Sequence, residues 1–272
     1  MATAQNQSAQ PAHPKGHPKP DYPKVLVQPD HTEPVPRRIR AVVAGRTVVD
    51  TTRATYVWEW PPYPQYYVPL DDVADGVLVD EGTTEDTSRG TARRHTLLVG
   101  DTTKPGAALV FDDSPVDGVS GTVRLDWDAA DGWYEEDERV WVHPRNPYSR
   151  VDAVRSTRTV RVESQGVVLA ESSSPVMVFE TGLPTRFYVN RTDVAWEHLV
   201  PSDTVTACPY KGRTTAYWSA AIGGRVHPDI AWCYDFPTAP VQAIAGLVAF
   251  YDEKVDTFVD GVRRDRPATL FS

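Results

Sequence analysis

The chain contains two stretches that repeat each other at a constant offset. Eight residues of the first stretch recur 121 positions later (161 − 40 = 121), with no gap between them. The pairs are Arg40/Arg161, Gly45/Gly166, Val57/Val178, Glu59/Glu180, Tyr67/Tyr188, Val68/Val189, Asp72/Asp193 and Val73/Val194. Similar residues keep the same register, as at Trp58 and Phe179. The repeat predicts a duplicated domain, and 272 residues suffice for two domains that each bury a core.

The repeat also predicts the domain limits. We place a tail at residues 1–36, the first domain at 37–156 and the second at 157–272. Near the ends of the copies, Val140, Val151 and Asp152 match Val248, Val259 and Asp260 at an offset of 108 (248 − 140 = 108). The smaller offset predicts 13 additional residues (121 − 108 = 13) in the first copy, in the loop around residues 75–90.

The tail at residues 1–36 is rich in Pro, Gln, His and Lys and has almost no apolar run. It cannot bury enough surface to offset its ordering entropy, so we predict that it is disordered. No continuous apolar segment follows its lysines, as a secretory signal requires, and no window of the chain approaches a membrane span. We therefore expect a cytoplasmic protein that does not enter a membrane.

The secondary structure is predicted to be mainly β. β-branched and aromatic residues alternate with polar ones over short runs between Gly, Pro and Asp, which is typical of short strands. The clearest predicted strands cover residues 39–44, 55–60, 96–99, 107–111, 158–162, 176–179, 214–219, 229–234 and 247–251. One short helix is predicted in each copy, at residues 70–75 and 193–199, with Thr192 as the N-cap of the second.

The net charge of −9 is concentrated in the first copy, where ten carboxylates between residues 112 and 138 meet only Arg124. Such a surface repels phosphate backbones, so we expect no nucleic-acid binding there, although an acidic run is also compatible with a simple solvated face.

Several catalytic and metal-binding motifs are absent from the sequence. It has no dinucleotide-binding glycine turn, no phosphate-binding loop, no nucleophile elbow and no His-Glu-x-x-His helix. Cys208 and Cys233 are too few for a tetracysteine zinc site. We therefore predict no metal and no cofactor.

The second copy carries a group of aromatic residues around a lysine. It comprises Cys208-Pro209-Tyr210-Lys211-Gly212, Ala216-Tyr217-Trp218 and Ala231-Trp232-Cys233-Tyr234. On a strand, Trp232 and Tyr234 point to the same face. They would form either a wall for a flat or cationic ligand or a part of the core.

Lys211 and Glu180 are the candidate charged groups of such a site. Lys211 would be an anion-binding or Schiff-base lysine if burial lowers its pKa, or else an exposed residue before a turn glycine. Glu180 would be the counter-ion of Lys211 or Arg186, a general base, or an acceptor for the backbone of the Gly182 turn.

These motifs resemble those of a bacterial family catalogued as domain of unknown function 427. The second copy matches throughout, from Glu180-Thr181-Gly182-Leu183-Pro184 through Phe187, Tyr188, Asp193 and Val194 to Cys208, Tyr210, Lys211, Gly212, Trp232 and Tyr234. The first copy keeps Glu59, Tyr67, Asp72 and Val73, and it ends in Val140-Trp141-Val142-His143-Pro144-Arg145, which looks like the form in tandem members. It has Leu97-Leu98-Val99-Gly100 where the Tyr-Lys-Gly element belongs, so we expect the lysine site to be absent or altered there.

The resemblance implies a fold rather than an activity. It implies two tandem β-tent-like domains of small antiparallel sheets, similar to zinc-stabilised domains and to the thalidomide-binding domain of cereblon, with apolar packing in place of zinc. The family description also carries a nucleotidyltransferase label. Such chemistry normally needs carboxylates that hold Mg²⁺ beside a glycine-rich phosphate cradle, and the sequence has no such arrangement.

Three functions remain open at this stage. The leading hypothesis is a binding module for a small molecule or a peptide, while the first copy is mainly structural. The predicted ligand-binding residues are Glu180, Tyr188, Tyr210, Lys211, Tyr217, Trp218, Trp232 and Tyr234. The alternatives are a transferase, nucleotidyltransferase or hydrolase that uses Lys211 and Glu180, and a scaffold for protein partners. The ligand, any reaction and the oligomeric state do not follow from the sequence.

Overall fold

The computed structural model describes residues 27–269, and strands predominate in this part of the chain. The strands form two consecutive domains, each with a seven-stranded and a four-stranded antiparallel sheet. The predicted fold class, mainly β with antiparallel sheets in two domains, is confirmed. No helix within residues 27–269 is both long and apolar enough to cross a membrane.

Within the described residues, the first domain contains eleven strands. They are β1 (Thr32–Pro34), β2 (Ile39–Val43), β3 (Arg46–Thr51), β4 (Thr55–Trp60), β5 (Tyr63–Pro69), β6 (Leu78–Thr87), β7 (Gly90–Val99), β8 (Thr102–Phe111), β9 (Thr122–Leu125), β10 (Gly132–Glu135) and β11 (Glu138–Val140). The large sheet has the order β1-β4-β5-β9-β8-β7-β6, and the small sheet has the order β11-β10-β2-β3.

As far as residue 269, where the described part of the chain ends, the second domain contains thirteen strands. They are β12 (Val151–Arg155), β13 (Val160–Ser164), β14 (Val167–Ser172), β15 (Val176–Glu180), β16 (Arg186–Val189), β17 (Leu199–Ser202), β18 (Ala207–Cys208), β19 (Gly212–Arg213), β20 (Ala216–Ile222), β21 (Arg225–Cys233), β22 (Val248–Phe250), β23 (Asp256–Val259) and β24 (Val262–Arg263). The large sheet has the order β12-β15-β16-β22-β21-β20-β17, the small sheet has the order β14-β13-β23-β24, and β18 pairs with β19 alone.

The strand registers reproduce the repeat seen in the sequence. Thr32 of β1 lies opposite Val57 of β4, and Ala153 of β12 lies opposite Val178 of β15. Both residues of the second pair lie 121 positions after their counterparts in the first pair (153 − 32 = 121; 178 − 57 = 121). The opening halves of the two domains are therefore built in the same way, residue for residue.

The closing halves follow a different offset from the one expected. Val68 of β5 pairs with Val123 of β9, and Val189 of β16 pairs with Val248 of β22, which gives an offset of 125 (248 − 123 = 125). The match of Val140 with Val248 is therefore wrong. The prediction of 13 additional residues in the first copy is also wrong. The segment from Val68 to Val123 in the first copy is four residues shorter than the segment from Val189 to Val248 in the second (125 − 121 = 4). Valine and aspartate recur in many strands and turns, so three matches at one offset arose by chance.

The predicted domain limits miss the first strand of each domain. β1 lies within the predicted tail, where it pairs with β4, and β12 lies within the predicted first domain, although it pairs with β15 of the second. Both strands lie at a sheet edge, where backbone hydrogen bonds hold them and little apolar patterning is needed. The disorder predicted for the tail concerns mainly residues 1–26, which lie outside the described residues.

Both predicted helices are replaced by short 3-10 turns. Leu70–Asp72 forms such a turn in the first domain, and Arg191–Asp193 and Trp196–His198 form two in the second. Thr192 lies inside a turn, and the N-cap is Asn190, whose side chain makes no capping bond. The expectation of one helix per domain is also wrong, since Trp127–Ala129 and Ala239–Ile244 are further 3-10 segments. Strands begin within a few residues of most of these segments, which leaves room for little more than a turn.

Each large sheet carries a buried apolar cluster on both of its faces. One face packs on the small sheet and forms the main core of the domain. The other face carries a smaller cluster, and in the second domain Val241 and Ile244 of the Ala239–Ile244 segment pack on it. The position of an aromatic residue along a strand therefore decides which of two separate clusters it joins.

Candidate functional site

Trp218 and Trp232, which are both predicted to bind the ligand, lie on opposite faces of the second large sheet. Trp218 of β20 packs in the core between the sheets, whereas Trp232 of β21 belongs to the cluster on the outer face. Trp218 pairs with Ala231, the residue beside Trp232, and successive residues on a strand point to opposite faces. The two tryptophans therefore do not line one cavity.

Trp232 and Tyr234 share a face, as the sequence predicts, and they pack there against Tyr188 and Tyr217. The indole Nε1 of Trp232 donates a hydrogen bond of 3.3 Å to the Tyr188 hydroxyl, and its ring stacks on Tyr217 with centroids 6.4 Å apart. None of the four residues is more than 5% exposed. They form a packed cluster, which we call the outer aromatic cluster, rather than an open wall.

Lys211 and Glu180 form a buried ion pair. The Lys211 ammonium donates a hydrogen bond to Glu180 Oε2, and the side chains are 10% and 9% exposed. Lys211 lies in the turn between β18 and β19, before Gly212, while Glu180 is the last residue of β15. Of the two counter-ions considered for Glu180, the structure selects Lys211, because Arg186 pairs with Glu253.

The surroundings of Lys211 keep its amine protonated. Burial alone lowers the pKa of Lys211, but the electrostatic effects of Cys208 and Glu180 outweigh burial and raise the pKa above its ordinary value. A Schiff-base or nucleophilic lysine needs the opposite shift, towards neutral pH. In this arrangement Lys211 acts as a charged anchor for its turn.

The first domain has an equivalent cation that sequence reasoning missed. Arg89 precedes Gly90 as Lys211 precedes Gly212, 122 positions later (211 − 89 = 122). The two glycines have φ values of +108° and +97°, a region that favours glycine. The signal was present in the sequence as a cation followed by glycine, but it lies one position off the main offset of 121.

Arg89 interacts with a glutamate and a tyrosine, as Lys211 does with Glu180 and, electrostatically, with Tyr188. Its Nε donates a hydrogen bond of 2.8 Å to the Tyr67 hydroxyl, and its Nη2 lies 4.0 Å from Glu59 Oε1. Glu59 and Tyr67 are the repeat partners of Glu180 and Tyr188. The expectation that Leu97–Gly100 replaces the Tyr-Lys-Gly element is wrong, since Leu97, Leu98 and Val99 belong to β7.

A cleft of about 240 Å³ lies between the two domains. It is lined by Pro36, Arg37, Tyr56, Arg145, Asn146, Pro147, Ser149, Val151, Tyr210, Thr238 and Pro240. Among the eight residues predicted to bind a ligand, Tyr210 alone lines this cleft, and it directly precedes Lys211.

The second-domain wall of the cleft is fixed by hydrogen bonds. Thr238 Oγ1 donates a bond of 2.5 Å to the Tyr210 carbonyl oxygen, and the Thr238 amide donates one of 3.2 Å to the Lys211 carbonyl oxygen. Val151 lines the cleft and also packs against the outer aromatic cluster. The ion pair and the aromatic cluster thus lie directly behind the wall that faces the first domain.

The segment between the domains holds them together at the cleft. The Asn146 amide donates a bond of 3.0 Å to the Tyr210 hydroxyl, and Asn146 Nδ2 donates one of 2.8 Å to the Pro62 carbonyl oxygen. Arg145 Nε donates a bond of 3.0 Å to the Pro209 carbonyl oxygen. Asn146 therefore bonds to both domains, and the cleft depends on this junction.

The first-domain side of the cleft contains a buried carboxylate. Glu135 is 2% exposed and accepts hydrogen bonds of 2.5 Å from Arg37 Nη1, 2.6 Å from the Tyr66 hydroxyl and 3.4 Å from Arg145 Nη1. Burial, followed by the charge of Glu135, raises the pKa of Tyr66 well above its ordinary value, so this phenol stays a neutral donor. The arrangement fixes both guanidinium groups beside the cleft.

The cysteines of the second domain are unpaired with each other. Cys208 and Cys233 are free thiols, and burial raises the pKa of Cys233, which disfavours the reactive thiolate. Within residues 27–269, no three or more His, Cys, Asp or Glu side chains are grouped so that they could hold a metal ion.

Comparison with known protein families identifies the family of the chain. The model of a family described as a domain of unknown function (DUF427) matches the chain twice, at residues 31–136 and 152–261. The matches begin within one residue of β1 and β12, in agreement with the limits that the sheets define. No curated protein matches the chain with significant similarity. Because the two matches cover most of the chain, the protein belongs to the DUF427 family, as a member with two tandem copies of the domain.

Proposed function

We propose that this protein is a binding module that holds a small organic molecule in the cleft between its two domains. The observation that carries the proposal is the cleft itself, about 240 Å³ in volume and lined by side chains of both domains. Ligand sites often form at domain boundaries, where apolar walls surround a few well-placed polar groups. Val151 and Pro240 supply apolar surface here, and Asn146 and Ser149 supply polar groups.

In this proposal the lysine and the outer aromatic cluster support the site from behind. The Lys211–Glu180 pair fixes the turn that presents Tyr210, and Trp232 lies in the cluster on which Val151 packs. Tyr210 contacts the ligand, while the ion pair and the outer aromatic cluster position the wall; Trp218 lies in the core on the other face of the sheet and takes no part. The first domain contributes Arg37 and Tyr56 directly, so its role is more than structural.

An enzyme that uses Lys211 and Glu180 is less compatible with these contacts. Such an enzyme needs a lysine with a lowered pKa and an amine that a substrate reaches. The neighbours of Lys211 raise its pKa despite burial, and its ammonium already donates a hydrogen bond to Glu180. The binding proposal needs neither property, because it uses Lys211 only as an anchor.

A fragment screen by ligand-observed NMR tests the proposal when it is run on the full chain and on two variants. Ser149 lines the cleft, so Ser149→Trp fills it with a bulky side chain, whereas Ser149→Ala is the matched control. We expect a set of fragments that binds the native protein and Ser149→Ala but not Ser149→Trp. If no fragment binds, or if Ser149→Trp binds the same set, the proposal is wrong.

A further inference from the structure

We infer that the ligand of the interdomain cleft is a small organic anion, a carboxylate or a phosphate ester, and this inference rests on the binding function proposed above. Two of the lining residues, Arg37 and Arg145, are cationic, and none of the lining residues is Asp or Glu. The chain as a whole has a net charge of −9, so the cleft differs in sign from the rest of the protein. A cleft with cationic walls attracts anions and disfavours cations.

The nearby carboxylates do not cancel this charge at the cleft. Glu135 is buried and is shared between both arginines, so one negative charge faces two positive charges. Glu138 lies 3.5 Å from Arg145 Nη2, but its side chain is 59% exposed and therefore strongly screened by water. The arginines consequently leave a positive potential at the cleft.

Arg37 has the geometry for contact with an anion. Its side chain is 48% exposed, and Nη1 is bonded to Glu135. A guanidinium carries five N–H donors in a planar fork that matches the oxygens of a carboxylate or a phosphate. Glu135 thus orients the group from one side while another edge of the fork is open to a ligand.

The remaining walls indicate the body of the ligand. Pro36, Pro147, Val151 and Pro240 provide apolar surface, and Tyr56 is a mostly buried aromatic residue. Burial, and then the charge of Glu135, raises the pKa of Tyr56, so its phenol is neutral and adds no negative charge. The cleft is smaller than the roughly 300–1,000 Å³ typical of drug-sized ligands. An anionic group on a ring or a short apolar body fits these features.

Calorimetric titration of the full chain with three probes of matched shape tests the inference. Benzoate, benzamide and benzamidine are anionic, neutral and cationic, and phenyl phosphate distinguishes a phosphate preference from a carboxylate preference. We expect benzoate or phenyl phosphate to bind about tenfold more tightly than benzamide, and benzamidine to bind most weakly. Tighter binding of phenyl phosphate than of benzoate assigns the site to phosphate esters, and the reverse assigns it to carboxylates.

Variants at neighbouring arginines connect this preference to the cleft. Arg37→Gln should abolish the preference for the anion, Arg37→Lys should keep most of it, and Arg38→Gln should leave it unchanged, because Arg38 pairs with Asp50 and does not line the cleft. Melting temperatures of the three variants report whether they are folded.

The outcomes separate this inference from the proposed function. If benzamide or benzamidine binds as tightly as benzoate, or if Arg37→Gln and Arg38→Gln behave alike, the inference is wrong while the cleft remains a binding site. If neither the probes nor the fragments bind in a way that Ser149→Trp abolishes, both proposals are wrong.

Discussion

Arg89 in the first domain and Lys211 in the second occupy equivalent positions. Each precedes a glycine with a positive φ, and each approaches the glutamate near the end of the corresponding strand, β4 or β15. The two sites differ in the number of cations that contact the glutamate. Glu59 has a second cation, Arg124, whose Nε donates a hydrogen bond of 3.1 Å, whereas Glu180 is paired with Lys211. We therefore expect the loss of the cation to destabilise the two domains to different extents.

Lys211→Met should strongly destabilise the second domain. It leaves the Glu180 carboxylate buried without its cation, and such changes typically cost about 3–5 kcal/mol. Arg89→Met should cost less, because Arg124 still neutralises Glu59. Urea denaturation followed by tryptophan fluorescence measures both effects. The double variant Lys211→Met/Glu180→Gln should regain part of the loss, and a neutral effect of Lys211→Met alone would contradict the buried pair.

Alanine substitutions at the two equivalent glycines should differ in cost. Gly212→Ala forces a side chain into the left-handed region, at about 1–2 kcal/mol. Gly90→Ala has the same strain and also brings a Cβ to 3.2 Å from the Asp113 carbonyl oxygen, against 3.6 Å from the nearest atom at Gly212. We therefore expect the larger fall in melting temperature for Gly90→Ala. Equal or reversed effects would show that the backbone of the Arg89 turn yields more easily than its contacts suggest.

The Arg186–Glu253 pair should make the stability of the second domain sensitive to acid. Burial alone raises the pKa of Glu253, but two hydrogen bonds from Arg186, of 2.6 and 2.7 Å, outweigh it and leave the pKa below its ordinary value. A carboxylate with a lowered folded pKa stabilises the fold above its unfolded pKa of about 4.3, and this contribution disappears as the pH falls through the folded value. Glu253→Gln should therefore lower stability at pH 7 and weaken its dependence on pH in the acidic range.

Asp252 provides a control of opposite sign for that prediction. Burial raises the pKa of Asp252, so its charged form costs stability, and this cost is relieved when the pH falls through the folded value. In the native protein, protonation of Asp252 partly offsets the loss of stability in acid. Asp252→Asn removes this offset, so the free energy of unfolding should fall more steeply with decreasing pH. Denaturation curves measured from about pH 3 to pH 7, the range in which carboxylates titrate, give the pH dependence of the free energy of unfolding for Glu253→Gln and Asp252→Asn. Similar pH profiles for both would contradict the assigned directions.

Substitutions behind the cleft should affect stability and leave ligand binding intact. Trp232→Phe leaves a partial cavity in the outer aromatic cluster and should cost about 1–3 kcal/mol, with the affinity of a cleft fragment nearly unchanged. Tyr210→Ala removes a lining side chain and should weaken that fragment clearly. Calorimetry on the two variants, with melting temperatures as a control, makes the comparison. Loss of binding in Trp232→Phe alone would move the ligand site from the cleft to the outer cluster.

The opening half of each domain was predictable because its registers agree residue for residue. From Thr32 to Val68 the strand pairings of the two copies keep the same register, so a single offset of 121 describes them. Beyond the 3-10 turns the hairpins differ in length, and the offset changes to 125 at Val123. A gapless comparison cannot follow such changes, which explains both the false match at Val140 and the missed equivalence of Arg89.

The candidate site was predictable only in part. Strand periodicity places Trp232 and Tyr234 on one face, and the structure agrees. Whether that face is open depends on the Ala239–Ile244 segment, which packs on it through long-range contacts that local patterns do not encode. The cleft itself combines Tyr210 with Arg37 of the other domain, and no motif within a single copy contains both.

The hydrogen bonds of Asn146 to Pro62 and to Tyr210 make the junction a head-to-tail contact. The first domain contributes Arg37 and the second contributes Tyr210, and these residues are not repeat partners. A head-to-tail contact brings different surfaces of the two copies together. After a gene duplication, a change on either surface therefore alters one wall of the cleft alone, so each copy was free to specialise without a matching change in the other.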